Sequence, residues 1–272
     1  MRSFLRWAGS KRLTLNALKA SCPDRIEGRY IEPFAGSACL FFDLQPDRAI
    51  LGDLNRELVC AMREIRRDVY RVLECARRLP SGKAGYYRVR ALRTSELCEA
   101  EIAARFIYLN RYCFNGLYRT NLQGDFNVPY GPPKAGKRRP KIDEDLIVQA
   151  SVQLQKASLQ YADFEHTLSQ AKPGDFVYLD PPYAISDRRV FREYLPGSFS
   201  SQDLGRLARA LQSLDERGIQ FLISYEDSRE AEELLGRWSP RRMMTRRNIA
   251  GFAGHRRSSP ELVASNTPAR IT

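Results

Sequence analysis

The spacing of apolar residues predicts alternating strands and helices along most of the chain. Short apolar runs at residues 49–53, 176–179 and 219–224 predict buried strands, since such runs fit a strand that is covered on both faces. Amphipathic spacing predicts helices at residues 56–67 and 201–217. Strands and helices in alternation are typical of an α/β fold. The same criteria predict strands that end near Glu32 and at Asp163-Phe164. They predict further helices near Ser37, at 143–156, at 229–237 and from Gly9-Ser10, the last with Leu15 and Leu18 facing inward. A final antiparallel pair of strands is predicted at 241–248 and 261–264.

The α/β rhythm is lost between residues 69 and 140. Helical patterns at 69–79 and 99–110 lead into a Gln-Gly-Asp turn at 123–125, which predicts a β-hairpin between two short strands. A basic loop follows at 134–140. Arginines and aromatic residues interleaved on a hairpin, beside a basic loop, suit contacts to base edges and phosphates. Taken alone, the segment is better explained as a solvated hairpin with an unstructured basic loop.

The overall charge favours a polyanionic partner. The chain of 272 residues has a formal net charge of +12, and nucleic acid is the first candidate for such a partner. No apolar run approaches membrane-spanning length, and the N-terminus lacks a signal-peptide pattern. The six cysteines form no Cys-x-x-Cys pair, which predicts reduced thiols in a cytoplasmic protein and no zinc site. The lack of a long apolar run predicts no membrane contact.

A carboxylate stands at the predicted end of the strand at 176–179. Asp180 is followed by Pro181 and Pro182, which lack backbone donors and end the strand. Ligands of open α/β sheets bind at this edge. Asp180, the Pro181 carbonyl and the ring of Tyr183 could together hold a planar group with an exocyclic amine. The alternative is a proline turn with a capping aspartate and a surface tyrosine.

Two further acids end predicted strands near the N-terminus. Glu32 and Asp53 accept hydrogen bonds only, so they suit a ligand with hydroxyl and ammonium donors rather than phosphates. The turn after Glu32 carries neither the Gly-x-Gly-x-x-Gly pattern nor a Gly-Lys-Ser/Thr, which disfavours a phosphate cradle. Asn55 is a predicted N-cap for the following helix.

Two further pairs of residues are weaker candidates. Asp163-Phe164 offers one residue that accepts from an amine and one that stacks. Trp7 and Lys11 flank a predicted helix N-terminus, which suits a bound anion or carboxylate. A hydrophobic staple at Trp7 and a solvated lysine would explain the second pair equally well.

The order of these motifs supports a specific resemblance. The chain carries Phe-x-x-Trp-Ala-Gly-x-Lys from Phe4, Glu-Pro-Phe-x-Gly from Glu32, Asp-x-Asn from Asp53, the hairpin region, and Asp-Pro-Pro-Tyr from Asp180. In this order they resemble the Dam-type DNA adenine-N6 methyltransferases (alpha group, D12 class), and the likeness runs from Phe4 to about Val263. Each motif alone is only moderately specific for this family. The occurrence of all five in this order is very specific for it.

The resemblance implies a Rossmann-like, S-adenosylmethionine-dependent methyltransferase fold. Its sheet would be mixed and seven-stranded, with the last strand antiparallel, and an inserted, mostly helical target-recognition domain would carry the β-hairpin. The implied parts are a cofactor-binding part at 1–68, the target-recognition domain at 69–140, and a catalytic part at 141–272.

The resemblance also implies a function and a set of site residues. It implies a site-specific adenine methyltransferase that acts as a monomer on double-stranded DNA, flips the target base, and uses S-adenosylmethionine without a metal, releasing S-adenosylhomocysteine. The catalytic motif is Asp180, Pro181, Pro182 and Tyr183. The implied cofactor contacts are Trp7, Lys11, Glu32, Phe34, Gly36, Asp53, Asp163, Phe164 and Asp180.

The implied DNA contacts lie mainly in the hairpin region. Arg119 resembles a guanine reader, Arg6 a reader of the outer guanine, and Phe114 a ring that wedges into the duplex. Relatives recognise GATC, which is therefore expected here, although Pro132-Pro133 stands where some relatives place an arginine. The remaining implied contacts are Asn115, Leu117, Asn121, Pro129, Lys134, Lys137 and Arg138.

Other functions remain open at this stage. Cytosine-N4 or amide methylation would keep the fold, but those enzymes more often carry Ser or Asn at position 180. A silent DNA-binding module would not need the cofactor motifs, and a nucleotide hydrolase would need Gly-Lys-Ser/Thr. The sequence leaves open a role in restriction, in replication control or in a phage.

Overall fold

The computed structural model describes residues 1–7, 10–121, 123–133, 141–182, 199–246 and 258–267. Strands within these ranges are β1 (Tyr30–Glu32), β2 (Ala49–Asp53), β3 (Ala157–Tyr161), β4 (Phe176–Leu179), β5 (Gln220–Glu226), β6 (Arg241–Arg246) and β7 (Ser258–Ser265). The helices are α1 (Leu15–Ala20), α2 (Cys39–Leu44), α3 (Arg56–Arg78), α4 (Gly82–Ala91), α5 (Glu99–Tyr112), α6 (Glu144–Leu154), α7 (Phe164–Ser169), α8 (Ser201–Glu216) and α9 (Arg229–Leu235).

The strands form one mixed sheet of seven strands in the order β3-β2-β1-β4-β5-β7-β6. Strands β2, β1, β4 and β5 pair in parallel. Strand β7 runs antiparallel to both of its neighbours, β5 and β6. This arrangement confirms the predicted α/β fold with a seven-stranded mixed sheet and a reversed last strand.

The apolar periodicity of the sequence explains the packing on this sheet. All four residues of β4 are buried, as the continuous apolar run predicted. On α8, Leu207, Leu211 and Leu214 recur on one helical face and pack in the same apolar cluster as Val177 and Phe221 of the sheet. A reciprocal pair of hydrogen bonds between Ser200 and Asp203 fixes where α8 begins.

The chain divides into two compact units. One is built from Met1–Ser10, Gly36–Gln45 and Asn55–Tyr161, and is mostly helical, with α3 packed along α5 and α6. The other is built from Lys11–Ala35, Pro46–Leu54 and Ala162–Thr272, and contains strands β1, β2 and β4 to β7. We call them the helical unit and the sheet unit.

Several local predictions differ from the structure. Although α3 spans Arg56–Arg78, the predicted break between helices at 56–67 and 69–79 is present as a kink at Asp68, whose backbone is non-helical (φ −155°, ψ 85°). Helix α4 was not predicted, because its sequence is short and contains two glycines. The buried Tyr86 and Val89 stabilise it. The predicted helix at Gly9-Ser10 is instead a 3₁₀ turn at Lys11–Leu13 followed by α1.

The predicted hairpin forms without regular strands in its described part. Isolated antiparallel bridges join Thr120 to Phe126 and Cys113 to Tyr130. The side-chain oxygen of Asn121 accepts from the backbone of Gln123 and Asp125, which closes the turn. All six cysteines are free thiols, as predicted.

An ion pair links the amino ends of β1 and β4. The Asp175 carboxylate, 4% exposed, accepts hydrogen bonds from the Arg29 backbone (2.7 Å), the Arg29 guanidinium (2.6 Å) and the Lys172 backbone (2.9 Å). Burial opposes the charged form, but the Arg29 and Lys172 contacts outweigh it and hold the pKa of Asp175 below its usual value.

We expect Asp175→Asn to lower the free energy of unfolding by roughly 1.5–3 kcal/mol at neutral pH, because hydrogen bonds to a charged group are lost. A depressed carboxylate pKa stabilises the fold above the unfolded pKa and is lost as pH falls through the folded pKa. The difference between the proteins should therefore vanish on acidification below the usual aspartate value of 3.8. Urea denaturation across pH measures it.

The matched control is Asp145→Asn, which neutralises an exposed aspartate on α6. It should leave stability within about 0.5 kcal/mol of the unaltered protein. A difference for Asp175→Asn that persists unchanged at pH values well below 3.8 would contradict the ion-pair explanation.

Candidate active site

Three neighbouring strands of the sheet unit end in carboxylates. Glu32 ends β1, Asp53 ends β2, and Asp180 directly follows β4. Pairing of Glu32 with Leu51 and of Ile31 with Val177 places Asp53 and Asp180 two residues beyond the level of Glu32. The acids predicted from the sequence therefore meet at one carboxyl edge of parallel strands, where α/β sheets bind ligands.

Glu32 is the most enclosed of these acids. Its residue is 3% exposed, and its Oε2 accepts a hydrogen bond of 2.9 Å from the Tyr30 hydroxyl. Burial raises the pKa of Glu32 well above its usual range; the Tyr30 hydrogen bond opposes this rise, and the charges of Asp180 and Asp53 add to it. Glu32 therefore takes up a proton more readily than an exposed glutamate does.

Asp180 is anchored through a single carboxylate oxygen. Its Oδ1 lies 2.9 Å from the Lys11 ammonium and accepts a hydrogen bond of 3.2 Å from the Ser224 hydroxyl. The side chain remains 23% exposed, whereas Lys11 is 5% exposed. Burial raises the pKa of Asp180, and the Lys11 ammonium opposes that rise. Such an acid can accept hydrogen bonds while its orientation is fixed.

The Lys11 ammonium also contacts a second carboxylate, Glu261 Oε2 on β7, at 2.8 Å. Sequence reasoning missed Glu261 and Ser224. The available signals were an acid at the start of the apolar run 262–264 and a serine ending the apolar run of β5. Neither signal names a partner, because the contacts join residues far apart in the chain.

The rest of the predicted catalytic motif lies close to Asp180 in sequence. Pro181 is buried and Pro182 is exposed. Tyr183 lies outside the described residues. The structure therefore brings Asp180 and Pro181 to the carboxyl edge of β4, as the two prolines predicted.

Asp163 and Phe164, two of the predicted cofactor contacts, have neighbours that the sequence did not reveal. Asp163 caps α7 through the backbone of Glu165, and its Oδ1 lies 2.7 Å from the Arg206 guanidinium. The Phe164 ring is buried; Phe34 stacks on it at 5.2 Å, and the Arg206 guanidinium lies 4.8 Å from its centroid. Phe34 therefore contacts Phe164, and Arg206 contacts both Asp163 and Phe164.

Trp7 and Gly36 are brought together within the helical unit. Gly36 has φ +47°, and a Cβ there would lie 3.0 Å from the indole nitrogen of Trp7. The Trp7 ring itself stacks on Tyr118 at a centroid distance of 5.9 Å. A glycine is therefore required beneath Trp7, both for its backbone angle and for the space.

Arg6 is held in place by α5 and by the segment that follows it. Its backbone N–H donates to the Asn110 side chain at 2.9 Å, and the Asn110 amide donates back to the Arg6 carbonyl. A Cβ at Gly116 would lie 2.7 Å from the Arg6 Cβ. Two of the predicted DNA contacts, Phe114 and Leu117, pack partly buried on the nearby apolar cluster that contains Phe126.

The remaining described DNA candidates lie along the hairpin of the helical unit. Arg119 is exposed and donates through Nε to the Asn127 side chain at 2.8 Å. Asn115 is exposed with φ 52°, and Pro129 is exposed as well, whereas Asn121 holds the turn. Lys134, Lys137 and Arg138 lie outside the described residues.

Within the described ranges, no helix is both long enough and apolar enough to cross a membrane. The same part of the chain contains no cluster of three or more His, Cys, Asp or Glu side chains able to hold a metal ion.

Comparison with known proteins agrees with this geometry. The sequence model of the D12 class N6 adenine-specific DNA methyltransferases matches residues 7–248. The chain is 33% identical to the Type II methyltransferase M1.LlaDCHI of Lactococcus lactis subsp. cremoris, over 98% of this chain and 95% of that protein.

Two further relatives extend the comparison. The chain is 35% identical to the Type II methyltransferase M.MjaIII of Methanocaldococcus jannaschii, over 82% of this chain and 84% of that protein. It is 31% identical to the DNA adenine methylase of Escherichia coli K12, over 100% of this chain and 97% of that protein. Because the family model matches most of the chain and two of these relatives match it over nearly their whole length, the chain belongs to the D12 class of N6 adenine-specific DNA methyltransferases.

Proposed function

We propose that the protein transfers a methyl group from S-adenosylmethionine to N6 of adenine in double-stranded DNA, at GATC, after flipping the base. The observation that carries this proposal is the carboxyl edge of β1, β2 and β4, where Glu32, Asp53 and Asp180 converge and Lys11 anchors Asp180. We further propose that the protein acts as a monomer, with residues 69–140 as its target-recognition domain.

The residues of the sheet unit fit the proposed cofactor. S-adenosylmethionine supplies an activated methyl group on a positively charged sulfonium, and it also carries hydroxyl and ammonium donors. Asp53 and Glu32 accept hydrogen bonds and so match those donors, while carboxylates favour the positive charge. The resemblance adds Trp7, Gly36, Phe34, Asp163 and Phe164 as further cofactor contacts.

Asp180 would act on the adenine amine directly. That nitrogen is a poor nucleophile, because its lone pair is delocalised into the ring. The Asp180 carboxylate would accept a hydrogen bond from one N–H of the amine, and the Pro181 carbonyl would accept one from the other. These two hydrogen bonds would favour a pyramidal nitrogen. Positive charge develops on this nitrogen as the methyl group is transferred, and the nearby carboxylate stabilises it.

Reaching the amine requires the adenine to leave the duplex. Base flipping costs a few kcal/mol of stacking and pairing. Stacking on the Tyr183 ring would recover part of this cost. Phe114, partly buried on the apolar cluster of the helical unit, would fill the space left in the duplex.

DNA would bind along the hairpin of the helical unit. Arg119 and Arg6 would read guanines, and Asn115, Leu117, Asn121 and Pro129 would approach the bases. The chain's net charge of +12 supports salt-sensitive phosphate contacts, to which Lys134, Lys137 and Arg138 would contribute.

Arg119→Ala should relax recognition of one guanine, by about 1–3 kcal/mol of discrimination, because a bidentate contact to a base edge is lost. The Asn127 side chain, which accepts from Arg119, orients the guanidinium for this contact. The measurement compares kcat/KM on GATC duplexes and on duplexes substituted at the guanine.

The control for Arg119→Ala is Arg88→Ala, which removes an exposed positive charge from α4. It should weaken binding to both duplexes equally, because a phosphate contact carries no base information. Equal losses on both duplexes for Arg119→Ala would argue against a reading role.

One experiment tests the proposed function as a whole. Unmethylated DNA is incubated with the protein and S-adenosylmethionine, and N6-methyladenine is mapped at base resolution. We expect modification at the adenine of GATC. Modification confined to another sequence would refute the proposed target, and methyl groups on cytosine or on protein would refute the proposed reaction.

A further inference from the structure

The Lys11 ammonium lies between two carboxylates in the sheet unit. Its Nζ is 2.9 Å from Asp180 Oδ1 and 2.8 Å from Glu261 Oε2, and the Lys11 and Glu261 side chains are 5% and 6% exposed. Charges this poorly solvated interact strongly, because water screens them little. One positive charge is therefore shared between two negative ones.

Glu261 is held on a rigid part of the sheet. It lies in β7, where its backbone pairs with Glu226 of β5 on one side and with Met243 of β6 on the other. Lys11 lies in a short 3₁₀ turn at the start of the sheet unit. The strand thus supplies a fixed anion against which the lysine side chain is placed.

The two oxygens of Asp180 have different surroundings. Both the Lys11 ammonium and the Ser224 hydroxyl contact Oδ1. Neither of these two contacts involves Oδ2. The exposed 23% of this side chain leaves room for an incoming donor. One oxygen is used for anchoring, and the other is available to a substrate amine.

We propose that Glu261 is a positioning residue of the methyl-transfer site: by sharing Lys11 with Asp180, it fixes the ammonium against Oδ1 and keeps Asp180 a strong hydrogen-bond acceptor at Oδ2. The inference rests on the proposed function, in which Asp180 accepts from the adenine amine. Without Glu261, Lys11 would pair with Asp180 alone and draw its negative charge away from the substrate.

Other charged or titratable groups also face Asp180. Glu32 on β1 and Tyr178 on β4 sense its charge, and Tyr178 contacts Ser224 at 3.1 Å. Burial, Lys11 and Glu261 act on the pKa of Asp180, and the charge of Glu261 raises it. Neutralising Glu261 removes this repulsion and strengthens the Lys11 contact, so both changes lower the pKa of Asp180.

The first test titrates Asp180 in the cofactor-free protein by NMR of ¹³C-labelled aspartate carboxyl groups, assigned with Asp180→Asn. Glu261→Gln should move the Asp180 titration to lower pH. Glu233→Gln makes the same chemical change at an exposed glutamate of α9, which pairs with Arg229, and should leave the titration unchanged. An Asp180 titration that is unmoved by Glu261→Gln would overturn the proposal.

The second test uses methyl transfer to DNA. Glu261→Gln should lower kcat by roughly tenfold with little change in KM for DNA, and the acid limb of the kcat–pH profile should shift to lower pH. Glu261→Asp keeps the negative charge but places it farther from the Lys11 ammonium, because the side chain is shorter. Its kcat and the position of its acid limb should therefore lie between those of the unaltered protein and those of Glu261→Gln. A lower kcat with an unshifted pH profile would indicate mere structural damage and refute the positioning role.

The two tests separate this inference from the proposed function. If the unaltered protein methylates no DNA, the proposed function and the role of Glu261 in methyl transfer both fall. The NMR titration still decides whether Glu261 controls Asp180. If Glu261→Gln fails to fold, the Asp180 titration and kcat are measured on Glu261→Asp instead. Values identical to those of the unaltered protein would then overturn the proposal.

Discussion

Asp180→Ala is expected to abolish methyl transfer to DNA, with a loss of roughly 10³-fold or more in kcat, because the group that stabilises charge on the amine is removed. The fold should survive the change. Lys11 keeps Glu261 as its partner at 2.8 Å, so no buried ammonium is left without a counter-charge. Transfer of a labelled methyl group from S-adenosylmethionine to DNA measures the effect.

Binding provides the control for this variant. Asp180→Ala should retain part of its affinity for DNA, because the proposed DNA contacts belong to the helical unit. Asp145→Ala, at an exposed position on α6, should keep full turnover. Full turnover by Asp180→Ala would eliminate the proposed mechanism, whereas loss of DNA binding together with activity would indicate unfolding.

Lys11→Met is expected to be the most destabilising single change in the site. It leaves Asp180 and Glu261 near each other without the ammonium that neutralises them, and breaking a buried ion pair in this way costs about 3–5 kcal/mol. Activity should fall as well, because Oδ1 of Asp180 loses its anchor. Urea denaturation and methyl transfer measure the two effects.

The pH dependence of this loss has a definite sign. Lys11 lowers the pKa of Asp180, so its removal raises that pKa further above the usual value of 3.8. An acid whose folded pKa is raised destabilises the fold as pH rises through the window between the unfolded and folded values. The stability deficit should therefore shrink as pH is lowered from neutral. A deficit that grows on acidification would contradict this account.

An exposed lysine of the same unit provides the control for Lys11→Met. Lys172→Met removes a solvated ammonium beside β4 and should change stability by no more than about 0.5 kcal/mol. A comparable loss for both lysines would point to a general effect of charge rather than to the buried contacts of Lys11.

Much of the fold was predictable from local patterns. Continuous apolar runs predicted strands β2, β4 and β5 correctly. The spacing of leucines along α8 predicted which face of that helix is buried. Asn55 accepts from the backbone of Leu58, which confirms the predicted N-cap of α3. The proline pair after Asp180 ends β4 as expected, because proline cannot donate to the ladder.

Other features were decided by partners distant in the chain. The pairing of Arg206 with Asp163 joins two helices and carries no local signal. Helix α4 depends on buried aromatic contacts, since its own residues favour helix weakly.

The sequence by itself determined that acids stand at the ends of three strands, at Glu32, Asp53 and Asp180. Both the apolar runs and the residues that end them can be identified within a short stretch of sequence. Only the tertiary structure decided that Lys11 meets Glu261, 250 positions away, and that Ser224 meets Asp180. The physical reason is that apolar spacing specifies which face of an element is buried, whereas the strand order of the sheet determines which polar side chains become neighbours.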